Sequence, residues 1–270
     1  MLKQEQPIGV FDSGVGGLTV ASAIKHLLPD ERIIYFGDTA HLPYGDKSNE
    51  TIISYSCRIA EFLLKKQVKV ILIACNTASA VAYNQLFEHY KNQVFLVNVI
   101  DPVVDYITKH FTNENVGVIG TKATIKSGTY ERKILKKNDH INVIPLATPL
   151  FVPMIEEGFV YDDISNAIIR AYLSDKKLAN IKSLILGCTH YPIIKNQIRK
   201  FYNFSVDVVD SATIVASHLK NILEMHNMLN PNKNPEYEFY ISDYTEYFKS
   251  IARMFFEDQL NLVKKNIWQT

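Results

Sequence analysis

The sequence contains few cysteines, no long apolar run and almost no net charge. Its three cysteines among 270 residues have no paired spacing, which excludes a disulfide framework and fits a reducing compartment. No run reaches the roughly 18 apolar residues of a membrane helix, so we expect no membrane association. A net charge of +1 gives no electrostatic basis for binding nucleic acid. The N-terminal segment lacks the apolar core of a signal peptide, and we therefore expect a cytoplasmic protein.

Several well-known site signatures are also missing. The turn with Gly14, Gly16 and Gly17 does not complete G-x-G-x-x-G, because the sixth position counted from Gly14 is Thr19. Neither a P-loop nor a G-x-S-x-G elbow occurs. No cysteine belongs to a C-x-x-C pair, and the C-x-H run at 188–190 does not make a zinc set. We therefore expect no nucleotide cofactor, no serine hydrolase chemistry and no metal.

Strand-like and helix-like segments alternate along the chain. We predict strands at 7–12, 32–36, 69–74 and 93–99, helices at 50–66 and 78–91, and a polar loop at 37–48. This alternation predicts a doubly wound parallel sheet. Further on we predict a strand at 205–209, a helix at 211–227, and a tail with a strand at 236–242 and an amphipathic helix near 243–258.

The pattern restarts in the second half of the chain. Residues 115–120 repeat the first strand, and residues 183–187 repeat the strand at 70–74. The offsets agree within a loop length: 116 − 8 = 108 for the first strands and 188 − 75 = 113 for the cysteines. We predict two similar α/β domains, 1–97 plus a returning 212–270, and 98–211, with the active site between them.

Each half places a cysteine directly after a buried strand. Residues 70–79 read VILIACNTAS and residues 183–192 read SLILGCTHYP. Ligands bind at the carboxyl ends of parallel strands, so we expect Cys75 and Cys188 to face one crevice. Backbone N–H groups at a following helix start favour the reactive thiolate. Most free cysteines are buried and inert, and we assign Cys57, on the apolar stripe of the helix at 50–66, to packing.

Short polar residues follow each thiol. Asn76 and Thr77 come after Cys75, and they are suited to holding a carboxylate or an amino group, although Thr77 could equally cap a helix. Thr189 and His190 come after Cys188, where the imidazole could move or tune a proton.

Other polar residues are candidates for the same crevice. Asp12 and Ser13 end the first strand, where they could orient a thiol or bind an ammonium group, or could simply form a turn. The loop carrying Tyr44 and Gly45 could close over a small ligand. Glu156 follows an apolar stretch and is a further acid candidate, but the neighbouring Glu157 could equally fill that role.

Six motifs in order resemble the glutamate racemase family over residues 8 to 215. They are FDSGVGGLTV (11–20), YFGDTAHLPYGDKS (35–48), ACNTASA (74–80), GTKAT (120–124), FVPMIEEG (151–158) and LGCTHYP (186–192). The resemblance implies two flavodoxin-like domains, commonly a homodimer, and cofactor-independent interconversion of L- and D-glutamate that supplies D-glutamate for peptidoglycan. One departure is His41, where many members have arginine.

The resemblance also implies roles for residues of this chain. Cys75 and Cys188 match the two proton-transfer residues, Cys75 acting on D-glutamate and Cys188 on L-glutamate. Asp12, Glu156 and His190 match assisting groups around the thiols. The substrate contacts fall on Asp12–Ser13, Tyr44–Gly45, Asn76–Thr77 and Thr189–His190.

Two alternatives stay open at this point. One is a racemase of aspartate or a related acid, which shares the paired-cysteine design; the run after Cys188 favours glutamate. The other is a non-catalytic amino-acid-binding protein, which needs no second thiol. Inverting a stereocentre requires a base on one face and an acid on the other, so two thiols on one carbon favour the racemase.

Overall fold

Two parallel sheets organise the molecule. The computed structural model describes residues 4–233, 235–244, 248–249, 252–253, 256 and 262–268. The elements up to the middle of the chain are β1 (Ile8–Asp12), α1 (Leu18–Leu27), β2 (Ile33–Gly37), α2 (Asn49–Lys65), β3 (Val70–Ile73), α3 (Asn76–Val81), α4 (Tyr83–Tyr90), β4 (Phe95–Asn98) and α5 (Ile100–His110).

The remaining elements repeat the alternation of strand and helix. They are β5 (Asn115–Gly120), α6 (Lys122–Lys126), α7 (Thr129–Lys137), β6 (Asn142–Ala147), α8 (Phe151–Glu156), α9 (Asp163–Leu173), β7 (Ser183–Gly187), α10 (Lys195–Phe201), β8 (Asp207–Val209), α11 (Ser211–Met225), β9 (Tyr237–Ile241) and β10 (Leu262–Lys264). Among the described residues, no helix has the length and apolarity needed to cross a membrane.

The two sheets share one topology. The first has the order β10-β9-β2-β1-β3-β4 and the second the order β6-β5-β7-β8, and all neighbouring strands among the described residues pair in parallel. Each therefore contains the strand order 2-1-3-4 of a flavodoxin-like sheet. The prediction of two similar doubly wound α/β units is confirmed.

The C-terminal segment extends the first sheet. β9 pairs with β2 and β10 pairs with β9, so the tail lies beside strands from the start of the chain. Of the helix predicted near 243–258, residues 248–249, 252–253 and 256 are described and helical, and the rest lies outside the described residues. The exact domain boundaries stay a prediction.

Apart from shifts of one or two residues at the ends of elements, the sequence-based boundaries differ from the structure in two places. The helix predicted over 78–91 is two helices, α3 and α4, and α3 begins earlier, at Asn76, because the Cys75 side chain caps it. The polar loop at 37–48 contains two short 3-10 turns, at Thr39–His41 and Tyr44–Asp46.

Helices on both sides bury the strands. Every residue of β1, β2, β3 and β7 is buried, as expected for parallel strands covered on two faces. The largest apolar cluster joins both sheets through inner helices, with Ile8 and Val10 from one sheet and Val116 and Val118 from the other. This shared core fixes the two sheets against each other.

The topology places two switch points near each other. In each sheet the first strand lies between the second and third. The loops that follow the first and third strands therefore line the crevice at the carboxyl ends of these strands. Asp12 ends β1 and Cys75 follows β3; Gly120 ends β5 and Cys188 follows β7.

Candidate active site

Both predicted thiols line one narrow cavity between the two sheets. Its walls are Ser13, Leu42, Pro43, Tyr44, Gly45, Cys75, Asn76, Thr77, Thr121, Val152, Cys188, Thr189 and His190. Of the eleven residues predicted for the site, all except Asp12 and Glu156 line this cavity directly. Asp12 and Glu156 instead form hydrogen bonds with residues of the cavity wall, Asp12 with Thr189 and Glu156 with His190. The structure therefore brings the sequence-predicted set together.

Cys75 is buried at the start of α3. Its thiol donates a hydrogen bond to Ser13 Oγ at 3.7 Å, and its sulfur accepts one from the Ala78 backbone N–H at 3.4 Å. Burial raises the pKa of the Cys75 thiol to about 12, and the nearby Asp12 carboxylate adds to that shift. As the sequence led us to expect, the N–H group at the helix start favours the thiolate, since the hydrogen bond from Ala78 lowers this pKa. Burial nevertheless outweighs that hydrogen bond.

Cys188 begins a short chain of proton-carrying groups. Its Sγ lies 3.7 Å from His190 Nδ1, and His190 Nε2 lies 2.9 Å from Glu156 Oε1. Burial alone would lower the pKa of the His190 imidazole, but the Cys188 sulfur and the Glu156 carboxylate hold it well above its usual range. No α-helix starts directly after Cys188; a 3-10 turn, Tyr191–Ile194, separates it from α10.

The structure distinguishes Glu156 from Glu157. Glu156, at the end of α8, points its carboxylate at His190, whereas Glu157 is exposed to solvent. Glu156 is therefore the glutamate that takes part in the site.

Asp12 joins the two halves from beneath the cavity. It is fully buried, and its Oδ1 accepts a hydrogen bond from Thr189 Oγ1 at 3.2 Å while its Oδ2 accepts one from the Gly14 N–H at 3.0 Å. Burial raises its pKa, although the His190 charge and these hydrogen bonds oppose the shift. Asp12 thus holds the Cys188 loop in place from the end of β1.

A buried carboxylate anchors the loop that carries Tyr44. Asp38 accepts hydrogen bonds from Tyr44 Oη at 2.7 Å, from His41 Nδ1 at 2.8 Å and from Ser242 Oγ at 2.7 Å. The histidine that departs from the family pattern is therefore built into this anchor. The Tyr44 hydroxyl proton is therefore committed to Asp38, while Tyr44 and Gly45 both line the cavity.

Asn76 and Thr77 are held by residues of the second half. Asn76 Oδ1 accepts a hydrogen bond from Tyr130 Oη at 2.7 Å, and its buried Nδ2 has no protein partner among the described residues. Thr77 Oγ1 lies 3.0 Å from Thr121 Oγ1 and 3.1 Å from Thr124 Oγ1. The alternative that Thr77 caps a helix is wrong, because Cys75 caps α3; the Thr77 hydroxyl instead joins the two halves.

Two glycines allow the halves to approach. A Cβ on Gly16 would lie 2.4 Å from Thr189 Oγ1 and 2.7 Å from His190 Nδ1. A Cβ on Gly45 would lie 2.6 Å from Thr121 Cβ. The glycine-rich turn after β1 therefore serves close packing against the Cys188 loop.

Sequence reasoning missed Thr121 and Tyr130. The internal duplication contained the signal for Thr121, because the offset of the first strands maps Ser13 onto it (13 + 108 = 121). Nothing in the local sequence marks Tyr130, which lies on α7 and reaches the cavity wall only through tertiary packing.

Other parts of the described structure offer weaker sites. An open groove of about 480 Å³ lies between α9 and α10, but its polar residues, among them Asp163, Arg170 and Lys200, provide no nucleophile paired with a base. Within the described ranges, no group of three or more His, Cys, Asp or Glu residues is arranged to hold a metal ion. The chemistry therefore points to the cavity with the two thiols.

The fold and this cavity define a class of protein. Two thiols reach one enclosed space from the equivalent strands of two flavodoxin-like sheets, and one of them has an imidazole and a carboxylate behind it. Paired proton-carrying groups in different environments are typical of an acid–base enzyme that acts on a small molecule.

Comparison with known proteins narrows that class. The family model for Asp/Glu/Hydantoin racemase matches residues 18–219. The glutamate racemase of Chlorobaculum parvum is 40% identical over 94% of this chain and 93% of its own. The solved glutamate racemase from Francisella tularensis, in complex with D-glutamate, superposes with a TM-score of 0.91 at 42% identity and covers 98% of this chain and 99% of that one. The chain belongs to the Asp/Glu/hydantoin racemase family and is an amino-acid racemase.

Proposed function

We propose that this protein interconverts L- and D-glutamate without a cofactor, using Cys75 and Cys188 as the two proton-transfer groups. The observation that carries this proposal is that both sulfurs border one cavity although they come from different sheets. The family implies that the D-glutamate supplies peptidoglycan synthesis in the cytoplasm and that the enzyme is a homodimer. Both are part of the proposal.

The surroundings of the thiols support a division of labour. Cys75 keeps its proton, because its pKa lies near 12, and it is therefore the acid in the resting protein. Cys188 can give its proton to His190 and act as the base. In the L-to-D direction the Cα–H bond breaks and its proton goes to the Cys188 sulfur. The carbanion then takes the Cys75 proton on its opposite face, leaving Cys75 as the thiolate.

The return direction uses the products of that step. The Cys75 thiolate removes Hα from D-glutamate, and the Cys188 thiol protonates the other face. A second L-glutamate can react only after the proton has moved back from Cys188 to Cys75, through solvent or through the substrate itself. The raised pKa makes Cys75 a strong base once it is deprotonated, which suits an Hα of low acidity.

Donors around the cavity suit an amino acid with two carboxylates. The buried Asn76 Nδ2 has no protein acceptor among the described residues, and Ser13 and Thr121, which both carry hydroxyls, line the same space. Donors placed around a carboxylate stabilise the charge that develops when Hα leaves. The relative from Francisella tularensis was solved with D-glutamate, which supports this choice of substrate.

Racemisation in deuterated water tests the proposal. We expect either enantiomer of glutamate to exchange Hα and to racemise without added pyridoxal phosphate, measured by chiral chromatography and mass spectrometry. Cys75→Ala and Cys188→Ala should each lose at least about 10²-fold in racemisation rate, because each removes one proton carrier. Cys57→Ala should retain nearly full activity, since Cys57 lies on α2 and packs against the core.

The outcomes separate the alternatives. Racemisation that survives loss of both Cys75 and Cys188, or that needs an added cofactor, contradicts the two-thiol mechanism. Faster turnover of aspartate than of glutamate in a substrate panel identifies an aspartate racemase. Tight glutamate binding without isotope exchange identifies a binding protein.

A further inference from the structure

One buried tyrosine touches the loops of both thiols. Tyr130 lies on α7, is only 3% exposed, and donates its hydroxyl to Asn76 Oδ1 at 2.7 Å, one residue after Cys75. Its ring edge faces the other loop: a Cβ built on Gly187, one residue before Cys188, would lie 3.5 Å from Tyr130 Cε2. The same side chain therefore spans the distance between the two catalytic loops.

The hydroxyl decides how the Asn76 amide is oriented. With the phenol donating to Oδ1, the buried Nδ2 is left as the donor available to a ligand, and no other described protein group accepts from it. The opposite orientation would turn the amide oxygen toward an anionic ligand and leave the phenol proton without this acceptor. Burial raises the Tyr130 pKa, so the hydroxyl stays protonated and remains a donor.

The backbone around Tyr130 is anchored on the first half. Its neighbour Thr129 donates its hydroxyl to the Ala80 carbonyl of α3 at 3.2 Å. One and two turns further along α7, Lys133 pairs with Asp101 and Lys137 pairs with Asp105, which ties α7 to α5. Tyr130 therefore cannot turn away from Asn76 without disturbing these contacts.

We propose that Tyr130 is a positioning residue, which orients the Asn76 amide so that its nitrogen binds a substrate carboxylate and which spaces the Asn76 loop from the Gly187 loop. The proposal rests on the proposed function, because it concerns glutamate bound in that cavity. Tyr130 itself touches no reacting atom and acts through Asn76.

The Tyr130→Phe variant isolates the hydroxyl, because it keeps the ring against Gly187. We expect KM for both enantiomers, and Kd for D-glutamate measured by calorimetry, to rise about tenfold, as for loss of control over one hydrogen bond to a charged group. We expect kcat to change less, because the spacing of the thiols is kept. Tyr202→Phe is the matched control, since the buried Tyr202 hydroxyl has no protein partner among the described residues, and it should leave both constants unchanged.

A double-mutant cycle with Asn76→Ala separates positioning from a general structural effect. If Tyr130 acts through the amide, Tyr130→Phe raises KM in the native background but has no further effect once Asn76 is alanine. Equal effects in both backgrounds, or an unchanged KM in Tyr130→Phe, overturn the proposal.

Two further readouts keep the test decisive. Thermal unfolding of each variant shows whether a raised KM comes from a destabilised fold. If Tyr130→Phe is destabilised, the Asn76→Gln variant gives a second test, because it keeps an amide but displaces it. Its calorimetric Kd for D-glutamate should rise as in Tyr130→Phe. An unchanged Kd in that variant also overturns the proposal. If the native protein racemises glutamate and Tyr130→Phe has the same KM and Kd, only the positioning role is contradicted. If the native protein neither racemises nor binds glutamate, the proposed function is contradicted as well.

Discussion

The protonation of Cys75 should make stability depend on pH in a measurable way. Its pKa rises from an ordinary value of 9.0 to about 12 on folding, a difference of 12 − 9.0 = 3 units, because the side chain is buried. At about 1.36 kcal/mol per unit, the folded state favours the neutral thiol by ~4 kcal/mol. Since the folded pKa is the higher one, this contribution is complete below pH 9 and is lost as pH rises toward 12.

Urea unfolding of the native protein and of Cys75→Ala at two pH values measures this contribution. Between about pH 8 and about pH 10.5, the native protein should lose ~2 kcal/mol more unfolding free energy than the variant, because 10.5 lies 1.5 units above the unfolded pKa. Comparing this pH-dependent loss between the two proteins cancels two other effects, which are the constant cost of the smaller side chain and the titration of other groups. The half-buried Cys57→Ala is the control and should show a smaller difference. If the native protein and Cys75→Ala lose the same unfolding free energy between the two pH values, the buried neutral thiol is refuted. The role of Cys75 as the acid in the resting protein is then refuted as well.

Two more predictions follow from the same contacts. Glu156→Gln removes the carboxylate that supports the His190 charge, so we expect kcat to fall about 10- to 100-fold in assays of either enantiomer. Glu157→Gln changes an exposed residue and should retain native rates. Equal losses in both variants would contradict the assignment of Glu156. Lys69→Met leaves the buried Glu31 carboxylate, 2.6 Å from the Lys69 ammonium, without its charge partner, so we expect a loss of about 3–5 kcal/mol in urea unfolding with KM unchanged; native stability would show that the pair is dispensable.

The sequence predicted those features that depend on local pattern. Apolar runs bounded by small and polar residues located the strands before Cys75 and Cys188, because a parallel strand buried on both faces leaves that trace in any fold. The duplication predicted that both cysteines occupy equivalent sheet positions. The same offset would have found Thr121, had it been applied residue by residue.

The remaining features depend on tertiary distances. Neighbouring residues on a helix point in directions about 100° apart, so the sequence could not choose between Glu156 and Glu157; the placement of α8 beside His190 decides. The bond from Ser242 to Asp38 joins residues 204 positions apart. The raised pKa of Cys75 depends on the depth of burial, which hydropathy does not measure, and this is why the helix start alone could not predict the direction of the net shift.

The two thiols differ more than the duplication would suggest, and the proposed reaction explains why that difference is tolerated. The offset of the cysteines maps His190 onto Thr77 (190 − 113 = 77), so the imidazole behind Cys188 has no counterpart beside Cys75. Enantiomers have equal free energies in water, and they share one transition-state region on this enzyme, so kcat/KM must be the same in both directions whatever surrounds each sulfur. Unequal surroundings of the two sulfurs can therefore make kcat and KM differ individually between the two directions, but they cannot change the equality of kcat/KM. They also decide which thiol carries the proton at rest. An enzyme of this kind needs two proton carriers on opposite faces, but it does not need them to be alike.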